Sequence, residues 1–149
     1  MTFMYFVDRK KIEQMLACLE QVVDTFQEKQ EYETDFEYYA LERMSHLIID
    51  CILDVGNAMI DGFIMRDPGS YEDIIDILMD EKVISEEEGK GIKEVIVLRK
   101  MLMQDYIQMN HEELYTTIQK QIAVVQKYPA NIRRYLEKEL GPVSAFVAE

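Results

Sequence analysis

The chain has little of what any architecture other than a helical one requires. Of its 149 residues only 6 are glycine and 3 are proline, the two types that most disfavour helix interiors. The 2 cysteines, Cys18 and Cys51, stand alone with no CxxC spacing. That excludes a zinc site built on cysteine pairs, and the two thiols read as small buried hydrophobes in a reducing compartment. No run of about 18 apolar residues occurs, so no membrane-spanning helix is expected. The apolar start, Met1 to Val7, is cut off by Asp8, Arg9, Lys10 and Lys11 and is too short for a signal-peptide core. The expected location is cytoplasmic. Positive charge is also scarce, with 16 basic against 29 acidic residues and a net charge of −13. Such a balance repels nucleic acid and anionic membrane at long range, which argues against a DNA-binding or non-specific coat protein.

What is present is helix-forming. Apolar residues make up 48% and charged residues 30%, ordinary values for a globular protein. The length suits one domain spanning residues 1–149. Ile12, Met15, Leu16, Leu19, Val22, Val23 and Phe26 repeat at the i, i+3, i+4, i+7 spacing of one buried helix face, with Asp8 as the cap. A second helix opens at Thr34 or Asp35 and runs to about Arg66, stopped by Asp67-Pro68-Gly69. Its middle is apolar on most sides and needs covering on several faces. Ser70 with Asp73, Ser85 with Glu88 and Asn110 with Glu113 read as capping boxes. They open helices reaching Leu78, Ile107 and Tyr128. Pro129 is expected to break the chain before a last short helix closed by Gly141-Pro142. The expected fold is all-α, an antiparallel up-and-down bundle of five to six helices.

Two groups of polar residues stand on otherwise apolar helices. On the second helix His46, Asp50, Asp54, Asn57 and Asp61 fall within roughly 80° at about 100° per residue. The stripe is either a solvated edge or a polar seam facing a cleft or partner subunit. A metal site is the third alternative, with His46 and Asp50 at i, i+4 but no third ligand evident. On the helix from Ser85, Arg99 shares a sector with Ile92, Val95, Met103 and Tyr106. An arginine does not give up its charge, so there it snorkels, pairs with an acid such as one of the second-helix stripe, or lines a pocket. HExxH, Walker and zinc spacings are absent. Gly89-Lys90-Gly91 lacks the third glycine and preceding strand of a dinucleotide site. No cofactor or metal is called for.

The stretch Arg99-Lys100-Met101-Leu102-Met103-Gln104-Asp105-Tyr106 resembles the signature of the HEPN family. The similarity is to its toxin branch, the HepT-like ribonucleases paired with minimal nucleotidyltransferases. That signature is an arginine, four to six residues, then a histidine, often with a tyrosine two residues later. Leu47 to Asn57 is similar to the family's second helix. Pro68-Gly69-Ser70-Tyr71, then Leu78 and Val83-Ile84, are similar to the segment preceding the signature helix. The resemblance covers roughly Arg9 to Leu140.

The resemblance implies a homodimer with a composite cleft, metal-independent RNA cleavage, and a nucleotidyltransferase antitoxin as partner. Arg99 would stabilise charge on the scissile phosphate, and Tyr106 is the residue such a partner would contact or modify. The chain departs from the pattern where the histidine belongs. Gln104, Asp105 and Tyr106 occupy the three allowed positions, and Lys100 replaces the usual polar residue after the arginine. Gln104 hydrogen-bonds but does not exchange a proton near neutral pH. Proton transfer typically contributes 10²–10⁴-fold, so activity is expected to be reduced or lost. His46 is the alternative imidazole on the second helix. Two other readings stay open: an inactive dimeric interaction or nucleotide-binding module, and a scaffolding bundle unrelated to RNA, which the charge of −13 favours.

Overall fold

The computed structural model describes residues 5–141. They form α1 (Arg9–Phe26), α2 (Asp35–Gly62), α3 (Tyr71–Asp80), α4 (Glu86–Ile96), α5 (Leu98–Gln104), a 3₁₀ turn (Tyr106–Gln108), α6 (His111–Lys120) and α7 (Ile122–Leu140). Among the described residues no strand occurs. With α4 and α5 counted as one kinked rod there are six helices, in keeping with the expected all-helical bundle. No helix of the described residues is long and apolar enough to cross a membrane.

The helix starts lie where their capping chemistry places them. Asp8 accepts from the Lys11 N–H, and Ser70 accepts from that of Asp73. Thr34 with Glu37 and Ser85 with Glu88 form reciprocal boxes, satisfying N–H groups that a helix's first turn leaves unpaired. Asn110 caps α6 by accepting from the Glu113 N–H.

The central rod is α2, against which α1, α3, α5 and α6 all pack. Its buried residues include Ile48, Ile49, Ile52, Val55, Met59 and Ile60, which explains why its sequence is greasy on more than one side. The Tyr128 hydroxyl, wholly buried on α7, donates to the Ile52 carbonyl at 2.9 Å. Cys51 is buried and Cys18 half-buried, both as free thiols; burial, with Cys18 beside it, pushes the Cys51 thiol up.

Three boundaries differ from the periodicity reading. The second helix ends at Gly62 and not near Arg66, because Ile64 turns into the left-handed region at φ 55. Arg66, released from the helix, grips both oxygens of Asp73 at 2.8 and 2.9 Å. The expected single helix from Ser85 to Ile107 breaks at Val97 and again at Asp105. Pro129 does not end a helix. It lies inside α7, buried between Tyr128 and Ile132 on the core face, and the interruption falls at Gln121 instead. Burial along that face outweighs the roughly 3 kcal/mol that an interior proline costs. At the far end Gly141 leaves α7 with φ 84, and the expected stop at Pro142 lies outside the described residues.

Candidate functional site

Val97 divides the signature helix into a buried and an exposed half. Before it, Ile92, Val95 and Ile96 are core residues. After Leu98 nothing is fully buried until Leu114. Met103 is 47% exposed, Tyr106 65% and Ile107 84%. The apolar stripe read from Ile92 to Tyr106 therefore enters the core only in its first half, and the second half stands on the surface.

Arg99 sits at this transition, half-buried. Its guanidinium carbon lies 4.4 Å from the centre of the Tyr71 ring, within the range of a cation–π contact. The Arg99 Nε is buried and has no hydrogen-bond partner. The acid expected from the second-helix stripe is not its neighbour: no ion pair forms to Arg99 among the described residues, and its counterpart is an aromatic face. Sequence periodicity gave no sign of this contact, because it joins α5 to the first residue of α3.

Lys100, Gln104 and Asp105 come together in one groove of about 720 Å³, where Gln108, Asn110 and Glu113 join them over Leu98 and Met101. Amides and carboxylates dominate its rim, with Lys100 as the cation. Arg99 and Tyr106 flank this segment but do not line the groove. Tyr106 presents its ring from the 3₁₀ turn. Asn110 and Glu113 were visible in the sequence only as a helix cap; their place in the groove follows from the tight turn at Asp105, whose N–H donates to the Met101 carbonyl at 2.9 Å.

The α2 stripe lies apart from the groove lining. His46 Nε2 is 3.2 Å from Asp50 Oδ2, while Asp54, Asn57 and Asp61 are exposed. Among the described residues no third His, Cys, Asp or Glu joins His46 and Asp50 in a group able to hold a metal. The other histidine, His111 at the start of α6, bonds Glu42 of α2 at 2.7 Å and stacks near Tyr38 at 4.3 Å. Both described imidazoles are thus engaged with carboxylates, and neither lines the groove that holds Gln104.

The all-helical bundle thus carries Arg99 and Gln104 on α5 and Tyr106 on the 3₁₀ turn that follows. The chain belongs to the HepT-like ribonuclease family, whose pattern matches residues 12–132. It is 52% identical over 143 residues to the Bacillus subtilis (strain 168) protein named "Putative RNase YutE", covering 96% of this chain and 99% of that one. The solved structure of YutE from Bacillus subtilis, described as a cytosolic protein, superposes with a TM-score of 0.92 over 96% of this chain and all of that one. A toxin–antitoxin crystal structure with AMP-PNP shares the fold, with a TM-score of 0.70 at 14% identity, over 81% of this chain and 96% of that one.

Proposed function

We propose that the chain is a toxin-branch HepT-like protein, a single domain acting as a cytoplasmic homodimer, whose ribonuclease activity is reduced or lost because Gln104 stands where the proton-transferring histidine belongs. One observation carries the reading: the groove holding Gln104 contains no imidazole, and both described histidines are tied to carboxylates elsewhere. Arg99 retains its role in this account. Its guanidinium offers N–H donors and a fixed charge to a phosphate oxygen as negative charge develops there. The Gln104 amide can hydrogen-bond a ribose hydroxyl, yet it neither accepts nor releases a proton near neutral pH. The scissile bond would then be held without general acid–base assistance.

Dimerisation is part of the proposal. Val97, Met103, Tyr106 and Ile107 are 50%, 47%, 65% and 84% exposed, an apolar cluster of the kind that marks an interaction surface. A second copy covering it would bring two signature segments together. The exposed Tyr106 ring is accessible to a nucleotidyltransferase antitoxin, and family membership together with the toxin–antitoxin neighbour supports such a partner. The described relative YutE supports a cytosolic location. The alternative, a catalytically silent interaction module, draws on the acidic rim formed by Asp105 and Glu113, which disfavours a phosphate ligand.

A ribonuclease assay on purified protein separates the two. A weak toxin-type enzyme cleaves RNA slowly, loses cleavage in Arg99→Ala, and gains on the order of 10²-fold in Gln104→His. A silent module cleaves nothing in its natural form. Equal inactivity of the natural protein and Gln104→His would defeat the claim that one residue accounts for the loss.

A further inference from the structure

We propose that Tyr71 is the positioning residue of Arg99, holding the guanidinium against its ring so that terminal N–H donors stay free for a phosphate. The proposal rests on the reading of Arg99 as a phosphate-binding group. The other engaged arginines show the contrast. Arg66 commits its fork to both oxygens of Asp73. Arg133 divides its nitrogens between Glu13 and Glu20. Both guanidinium groups are tied to carboxylates and act as structural links.

Arg99 is held differently. An aromatic face attracts the cation through the ring quadrupole and takes no N–H. Among the described residues the guanidinium makes no hydrogen bond or ion pair, and its Nε is without a partner. A carboxylate in the place of Tyr71 would satisfy the charge and block the edge together. The ring also restricts an otherwise long and flexible side chain, lowering the ordering cost of binding.

Tyr71 is itself fixed by its neighbours. It is the first residue of α3, directly after the Ser70 cap. Asp73, two residues further on, is gripped by Arg66 and accepts the Gly69 N–H at 2.8 Å. The turn that carries the ring is thus braced on both sides. No partner of the Tyr71 hydroxyl is present among the described residues, so the face of the ring is what matters here.

The contact and its purpose can be read separately from the Nε–Hε signal of Arg99 in a nitrogen-15 NMR spectrum, assigned by its loss in Arg99→Lys. The expected signal is displaced by ring current and protected from exchange, retained in Tyr71→Phe and moved towards free-arginine values in Tyr71→Leu. A short oligoribonucleotide made uncleavable by 2′-O-methylation should shift it further. Affinity should be kept in Tyr71→Phe and fall about two- to thirty-fold in Tyr71→Leu. If Tyr71→Leu leaves the signal in place, or binds the oligonucleotide as tightly as the natural protein, the positioning role is wrong. If the ring-shifted signal is present but no oligonucleotide perturbs it in the natural protein, the phosphate reading fails and takes this proposal with it.

Discussion

Asp73 links a single ionisation to the geometry of the candidate site. The Arg66 guanidinium and the Gly69 N–H hold its carboxyl down to about 2, against an ordinary 3.8. A carboxyl depressed in the folded state stabilises the protein above its unfolded value and loses that contribution as pH falls through the folded one. The window here lies between about 4 and 2. Asp73→Asn should therefore lower stability at neutral pH and flatten the acid limb of a melting-temperature profile across that window. A variant whose profile parallels the natural one down to about 2 would mean that Asp73 contributes nothing through its charge. At this scale the sequence was partly legible. Each cap residue it marked accepts from the N–H three positions on, a contact between near neighbours. Of the three expected boxes, however, only Ser85–Glu88 is reciprocal; Asp73 accepts from Gly69 instead. The place of Tyr71 beneath Arg99 was not legible, since no local pattern links residues brought together by two different helices.

Helix positions followed from apolar periodicity, whereas helix interruptions did not. Val97 and Gln121 carry no Gly or Pro signal, and the breaks there come from packing that a periodicity count does not contain. Pro129 shows the reverse, a strong local signal overridden by burial on the core face. The contact between α2 and α3 makes this dependence measurable. A Cβ added at Gly56 would lie 2.6 Å from Cγ2 of Ile74 and 3.6 Å from the Tyr128 hydroxyl. The nearer neighbour is a methyl on a β-branched side chain, which cannot swing aside without leaving its rotamer. Alanine would gain roughly 1 kcal/mol of helix propensity but incur an overpacking cost of about 1–3 kcal/mol. Gly56→Ala should thus lower stability by up to about 2 kcal/mol, read from urea midpoints. A raised midpoint would show that α3 can move off α2 at little cost.

For the molecule as a whole, charge and exposed surface have to be reconciled. A chain with net charge −13 does not gather a polyanion by long-range attraction, and its groove sets Lys100 against Asp105 and Glu113. One copy therefore offers RNA little net positive potential. Two copies joined through the exposed half of the signature helix would bring two Arg99 and two Lys100 side chains near one shared cleft beside two Asp105 and two Glu113, so RNA would be held by the placement of the arginines and not by a net positive field. The same joining would cover Val97, Met103 and Ile107, whose exposure costs an isolated monomer about 25 cal/mol for each Å² of apolar surface left in water. The chain should accordingly run at twice 17.6 kDa in light scattering coupled to size-exclusion chromatography. Val97→Glu combined with Ile107→Glu should return it to 17.6 kDa with its helical circular dichroism intact, because both side chains are at least half exposed. That variant should also lose any oligoribonucleotide binding, since half of the cationic set would leave with the partner copy. A natural protein that is monomeric at micromolar concentration, or a monomeric variant that still binds RNA, would remove the composite cleft and leave Arg99 to act, if at all, within a single chain.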